Sequence, residues 1–191
     1  MKVLQIDSSI LEENSVTKEL SAYIVSHINS VKPDADVTAY NLDKDPIPFL
    51  SSTSFNDEDQ QKLGDKVMDE FMAADILVIG APMYNFGIPA QLKAWIDRIA
   101  VAGKTFKYTE NGPVGLVSNK QVIIVSSRGG VYSEELSFLD HQEAHLKSVL
   151  GLLGLKDDDI KIIRAEGVNL GPEEAQQAIE KAKAEIDALD I

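Results

Sequence analysis

A chain of 191 residues, 44% hydrophobic and 26% charged, carries enough apolar material for one compact globular domain spanning residues 1–191. Its net charge of −13 disfavours nucleic acid and anionic membrane surfaces as partners, and the absence of cysteine excludes disulfide frameworks, cysteine-ligated metals and thiol nucleophiles. No stretch approaches the roughly 20 apolar residues of a membrane span, and the opening Met1–Asp7 meets an acid too soon for a signal peptide, so a reducing cytoplasm is the expected place of action.

Taken in chain order, Val3–Ile6 reads as a first strand, followed by a turn, Ser8–Asn14. Asn14 or Ser15 can cap a helix from Val16 to Asn29, whose stripe is Leu20, Tyr23, Ile24 and Ile28. Asp36–Tyr40 is a short, partly polar strand suited to a sheet edge. Asn41–Asn56, with Pro46, Pro48 and several hydroxyl residues, reads as a long loop of the kind that is functional or mobile. A polar helix covers Asp57–Ala74, with Leu63, Val67, Phe71 and Met72 facing inward and Gly64 weakening it.

Ile76–Ile79 is an apolar, mostly β-branched run, the pattern of a strand covered on both faces. Gly80 and Pro82 end it, and Met83-Tyr84-Asn85-Phe86 follows at its carboxyl end. A helix runs from Pro89 to Ala102, with Leu92, Trp95, Ile96 and Ile99 apolar, and Gly103 stops it. Trp95 belongs to the core or to an interface between copies. Lys104–Ser118 reads as a second long loop with a turn at Gly112-Pro113. Gln121–Ser126 is another buried strand, ending in Ser127-Arg128-Gly129-Gly130. A helix over Asp140–Leu153, a strand over Asp159–Arg164 and a helix over Glu173–Leu189 complete the chain, and Asp157–Asp159 reads as a solvated turn.

Five strand–helix alternations predict an α/β fold: a five-stranded parallel sheet with helices on both faces, in the doubly wound flavodoxin-like order 2-1-3-4-5. That order brings the loops after strands one, three and four to one rim, where ligands bind in open parallel sheets. The first loop ends at a helix N-terminus and carries Ser8, Ser9, Ser15 and Thr17, so free N–H groups and hydroxyls offer an anion site. It is neither G-x-x-x-x-G-K-[ST] nor G-x-G-x-x-G, which turns the reading away from ATPases and Rossmann dehydrogenases. Asp7 must turn its side chain away for an anion to sit there. The second loop, Pro82–Phe86, would flank a flat ring. The third has two glycines that admit close approach of backbone, and an Arg128 that either balances an anionic ring or points to solvent. An anion site at one end and a ring slot at the other fit a mononucleotide such as FMN. The histidines His27, His141 and His145 read as solvated helix-face residues, with no metal implied.

The chain also resembles the bacterial FMN-dependent NADH-azoreductases, or FMN-dependent NADH:quinone oxidoreductases, from end to end. The motifs are Ser8-Ser9-Ile10-Leu11 with Ser15 and Thr17, Ala81–Phe86, Thr105–Pro113, Ser127–Gly130, and Ala165-Glu166-Gly167 with Gly171-Pro172. The resemblance implies tightly bound FMN and a homodimer with active sites at its interface. It implies that Ser9, Ser15, Val16 and Thr17 hold phosphate, that Pro82, Met83, Tyr84, Asn85 and Phe86 with Ser127, Arg128, Gly129 and Gly130 hold the isoalloxazine, and that Phe106 and Tyr108 line the substrate pocket. Family members often carry Gln where this chain has Val16, so only the backbone N–H serves there.

The expected chemistry is ping-pong: hydride passes from NADH to flavin, and two electrons then pass to a quinone or azo compound in the same place. No protein acid or base is required for the hydride step, while Tyr108, Asn85 or solvent supplies a proton to the acceptor. A flavodoxin-type electron carrier and a non-enzymatic regulator on the same fold are the alternatives, and the two long loops speak against the carrier.

Overall fold

The computed structural model describes residues 1–191. Its parallel strands are β1 (Lys2–Asp7), β2 (Asp36–Asn41), β3 (Ile76–Pro82), β6 (Gln121–Arg128) and β7 (Ile160–Glu166). A small antiparallel hairpin adds β4 (Phe106–Thr109) and β5 (Gly112–Gly115). The helices are α1 (Val16–Val31), α2 (Glu58–Ala73), α3 (Ala90–Ile99), α4 (Gln142–Leu153) and α5 (Pro172–Asp187). The main sheet is ordered β2-β1-β3-β6-β7, which is the expected doubly wound order once the hairpin is set aside. No helix is long and apolar enough to cross a membrane.

Each central strand supplies both faces by simple alternation. Leu4, Ile6, Leu77, Ile79, Val122 and Ile124 point into a larger core shared with α2, α3 and α4. Val3, Ile76, Val78, Ile123 and Val125 point into a smaller one shared with α1 and α5. All seven residues of β3 are buried, whereas β2 at the edge has none that is. Trp95 lies in the larger core with its ring edge-on to Phe71 at 6.1 Å, which settles its place within the chain.

The caps follow the sequence. Ser15 rather than Asn14 caps α1, accepting the Lys18 N–H at 3.1 Å, and Asp57 caps α2 through Asp59 and Gln60. Beyond Asn41, which ends β2, residues 42–56 have no strand or helix, yet they are packed. Leu42, Ile47 and Ser54 are buried, and the buried Arg98 of α3 donates to the Pro48 carbonyl at 2.8 Å and to Gln60 Oε1 at 3.0 Å.

Residues 104–118, expected to be a loop, contain the β4–β5 hairpin. Its register pairs Phe106 with Gly115 and Tyr108 with Pro113, and Gly112 takes a φ of +107° that suits glycine. The hairpin was hidden because its strands are four residues long and one contains Gly-Pro-Val-Gly, a pattern of low strand propensity. Packing decides it: Val117 N–H donates to the Leu153 carbonyl at 2.9 Å, and a Cβ on Gly115 would collide with the backbone of Gly154. His145 departs from expectation too. It is half-buried and its Nε2 is enclosed without a hydrogen-bond partner.

Gly115→Ala should therefore destabilise the protein by about 1–3 kcal/mol in urea unfolding, as overpacking does. Gly151→Ala, in open space on α4, should instead stabilise it by about 0.5–1 kcal/mol. Burial, and then the Lys93 ammonium, hold the His145 imidazole below its ordinary pKa of 6.5, with Asp97 opposing. The unfolded chain thus binds this proton before the folded one, so stability falls as pH drops through about 6.5. His145→Gln should flatten the dependence of unfolding free energy on pH between about 7.5 and 5.5; an unchanged slope would remove His145 as its source.

Candidate functional site

Strands β1, β3 and β6 are neighbours, so the segments after Asp7, Pro82 and Arg128 leave the sheet side by side. Hydrogen bonds then stitch the three together. Ser8, fully buried, donates its hydroxyl to the Gly80 carbonyl at 2.6 Å, so it braces the first loop to β3 and is not available to a ligand. The Tyr84 hydroxyl accepts the Ile10 N–H at 3.2 Å and lies 3.3 Å from Ser9 Oγ. Met83 N–H donates to the Ser127 carbonyl at 2.8 Å, and His141 N–H to the Phe86 carbonyl at 3.1 Å.

At the first loop, Ser15 Oγ and Thr17 Oγ1 are 3.2 Å apart, and Ser15 does serve as the helix cap. Within the chain no acceptor takes the N–H groups of Ser9, Val16 or Thr17. They are the open donors of a helix start, the arrangement that binds anions. Asp7 turns away as required: its carboxylate takes Ser21 Oγ at 2.5 Å and Gln5 Nε2 at 2.9 Å. Burial pushes the Asp7 carboxyl above its ordinary pKa, against the pull of those two hydrogen bonds and of Lys18. A Cβ on Gly80 would sit 3.1 Å from Asp7 Oδ1, so glycine there makes room for the turned-away carboxylate.

At the second loop, Tyr84 and Gly87 exchange two backbone hydrogen bonds at 3.0 Å, closing a tight turn. Asn85 and Phe86 at its centre have φ of +49° and +67°, a mirror-image turn that Phe adopts only at a cost of about 1–3 kcal/mol. The strain leaves Asn85 and Phe86 exposed with their N–H groups unclaimed, while Pro82 stays buried as the end of β3.

The third loop differs from expectation. Arg128 neither faces a ring nor points to solvent. Its buried guanidinium pairs with Asp140 at 2.7 Å, with Glu166 at 3.2 Å and with Glu143, while its Nε reaches Ser126 at 3.1 Å. Glu143 also takes Arg164 through two bonds, at 2.8 and 2.7 Å. A buried guanidinium requires paired carboxylates, and this one has three. Arg128 therefore offers a ligand nothing but backbone. The two glycines are also dictated from within: a Cβ on Gly129 would meet Asn169 Nδ2 at 2.7 Å, and one on Gly130 would meet Tyr132 at 3.3 Å. Their N–H groups remain without an acceptor in the chain.

Met83, Asn85, Phe86, Gly129 and Tyr132 line a cavity of about 240 Å³. Tyr132 was not among the expected site residues. Its position is set by an edge-on contact with Phe86 at 6.1 Å, between residues 46 apart in sequence, which no local pattern signals. Gln142 was missed likewise; fully buried, it bridges Ser126 Oγ at 3.0 Å to the Ala81 carbonyl at 2.5 Å beneath the rim. Phe106 is corrected in the other direction. It is 7% exposed, part of the larger core, and braces Tyr108 edge-on at 5.4 Å, while Tyr108 itself is 75% exposed. A larger cavity of about 300 Å³ between α2, α3 and the 41–56 segment includes no residue of the three rim loops.

An open parallel sheet in the order β2-β1-β3-β6-β7, with unclaimed N–H groups at a helix start, a glycine-bearing loop and an aromatic turn on one rim, has the architecture of the flavodoxin-like proteins. Residues 1–189 match the flavodoxin-like fold family. Among curated relatives, an FMN-dependent NADH:quinone oxidoreductase of Azospirillum brasilense is 49% identical, across 100% of this chain and 98% of its own. One from Chromobacterium violaceum is 47% identical across 100% of both. Among solved structures, an azoreductase from Bacillus anthracis superposes with a TM-score of 0.86 at 29% identity, covering 99% of this chain and 100% of that one. An FMN-dependent NADH-azoreductase of the same species, solved with FMN, gives 0.85 at 25% identity, covering 97% of each. The chain belongs to the flavodoxin-like family of FMN-dependent NADH:quinone oxidoreductases.

Tyr84→Phe removes the hydroxyl that ties the first loop to the second. The Ile10 amide should then exchange with deuterium about tenfold faster, the loss of one hydrogen bond, while β3 amides keep their protection.

Proposed function

We propose that this chain is an FMN-dependent oxidoreductase that takes hydride from NADH and passes two electrons to quinones and to aromatic azo compounds. The observation that carries the reading is the gathering of unclaimed N–H donors at both ends of one rim: Ser9, Val16 and Thr17 at the start of α1, and Asn85, Phe86 and Gly129 around the 240 Å³ cavity, with Gly130 next in the chain. These donors fit FMN. A phosphate suits the helix start, where the Ser9, Ser15 and Thr17 hydroxyls add donors and Val16 gives its backbone. A flat ring suits the cavity, with Met83 and Phe86 as apolar walls, Tyr84 between it and the phosphate loop, and the backbone of Pro82 and Ser127–Gly130 as its edge.

When bound, FMN supplies the hydride and electron transfer itself. The chain's task is to bind, orient and wall off. Ser127 fixes Met83, and Tyr84 locks the phosphate loop to the ring loop. NADH and the acceptor use one exposed face in turn, which makes the kinetics ping-pong. Tyr108, lifted into solvent by the buried Phe106, lines the acceptor pocket, so Phe106 acts there through Tyr108. The proton taken up by the reduced acceptor comes from the Tyr108 hydroxyl or from solvent, and Asn85, whose amide is no acid, can only hydrogen-bond the acceptor. Residues 1–191 act as one FMN-binding unit, and two copies form a homodimer with the sites at their interface. Exposed Ile10, Leu11, Phe86, Tyr108, Phe138 and Leu170 support that, being apolar surface that a second copy would cover. NADH as reductant and a chain without cysteine suit the cytoplasm.

Purified protein should be yellow, and should bleach when NADH is added anaerobically. Double-reciprocal plots against quinone at several NADH levels should be parallel. A colourless protein that gains no activity with added FMN overturns the proposal, and intersecting lines overturn its ping-pong part. Ser9→Ala with Thr17→Ala should weaken FMN retention at least tenfold while leaving the spectrum of bound flavin in place; unchanged affinity would move the phosphate elsewhere.

A further inference from the structure

The segment Gly129–Ser133 puts Gly129 and Tyr132 on the wall of the cavity and leaves the Gly129 and Gly130 N–H groups unclaimed, yet it belongs to no strand or helix. Its shape comes from the end of β7. Gly167, Val168 and Asn169 donate their N–H groups to the carbonyls of Gly130, Arg128 and Gly129 at 3.0, 3.1 and 3.1 Å. This zip holds the carbonyls of the first half of the segment. The second half hangs on one side chain. Glu166 Oε1 accepts the Tyr132 N–H at 2.8 Å and Arg128 Nη1 at 3.2 Å, and its Oε2 accepts the Ser133 hydroxyl. Tyr132 then lies over Gly130, in the space a Cβ would need, with its edge on Phe86.

We infer that Glu166 is a positioning residue for the ring end of the site: it folds Tyr132 and Ser133 back onto β7, so that Gly129 and the Tyr132 ring are held on the cavity wall. The inference rests on the reading that a flavin ring fills that cavity. Three independent donors converge on one half-buried carboxylate, and two of them come from the segment it shapes. No nearer group replaces it, since Asp140 is taken up by Arg128 Nη2 and the first turn of α4, and Glu143 by both arginines. Burial raises the Glu166 carboxyl, but the bonds from Ser133, Tyr132 and Arg128 outweigh it and leave its pKa below the ordinary value. The clamp is therefore charged at neutral pH.

The experiment is a titration of stripped wild-type and variant protein with FMN and with riboflavin, which has the ring but no phosphate. Tryptophan and flavin fluorescence report affinity, and visible circular dichroism reports how the ring is held. Glu166→Ala should weaken both flavins by the same factor, about tenfold or more, and reduce the visible dichroism of what remains bound. Glu166→Gln keeps one oxygen for the Tyr132 N–H and should restore most of both readouts. A role confined to stability would lower the apo-protein melting temperature and leave the dichroism of bound flavin as in wild type. Should Glu166→Ala fail to fold, Ser133→Ala carries the test: it removes one donor and should weaken riboflavin by about two- to fivefold, and no change overturns the inference. Loss of FMN affinity without loss of riboflavin affinity also overturns it. Wild-type protein that takes up neither flavin overturns the proposed function, and this inference with it. Wild-type binding that Glu166→Ala matches overturns the inference alone.

Discussion

The structure depends on β3 being hydrogen-bonded in parallel on both edges while buried on both faces. Parallel pairing with β1 and β6 places three carboxyl ends in one row, and no other strand in the sheet could bring all three loops together. Complete burial makes that placement rigid, because every residue of β3 is fixed by a core on one side or the other. The loops then need only short links to one another, and they have them: Ser8 to Gly80, Tyr84 to Ser9 and Ile10, Met83 to Ser127.

The polar chemistry beneath the rim follows from one buried charge. Arg128 closes β6 with its guanidinium inside the protein, and a guanidinium there is tolerable only among carboxylates. Asp140 just before α4, Glu143 in its first turn and Glu166 at the end of β7 supply them, so the start of α4, the end of β7 and the segment after β6 are locked as one piece. Asp140 shows the economy of this: one oxygen takes Arg128 and the other caps α4 through Gln142 and Glu143. The result is a rim whose third loop offers backbone donors and an aromatic wall but no free cation. What this loop itself can set against negative charge is therefore its N–H dipoles.

Strain and freedom are divided unevenly along that rim. The first loop is capped at Ser15 and holds a single residue, Glu12, in a left-handed conformation, with a φ of +47°. The second keeps Asn85 and Phe86 in left-handed conformations, closed by paired bonds between Tyr84 and Gly87. A bulky residue persists in such a conformation only where the surroundings over-determine it, and here the Phe86 carbonyl is held by His141 and its ring by Tyr132. Strain of this kind at a ligand rim is a form of preorganisation, since the walls need not be rearranged when something binds.

The periodic elements could be read directly from the residues, because burial on two faces writes itself as β-branched runs and burial on one face as helical stripes. Strand order and the row of three rim loops followed from local pattern and a general rule of parallel sheets, while the choice of Ser15 over Asn14 as cap and the turning of Asp7 toward Ser21 and Gln5 were settled by the structure. What the residues alone could not reveal were contacts between positions far apart: the hairpin at 106–115, decided by packing on α4, and the burial of Phe106. The fate of Arg128 belongs with these, since its carboxylates lie 12, 15 and 38 residues further along. A sequence displays an arginine beside two glycines but not the acids that will claim it, and it displays glycines but not the Asn169 and Tyr132 that need their space. Local propensity and periodicity act along the chain. The partners of a buried charge are chosen across it, and only the tertiary structure brings them within reach.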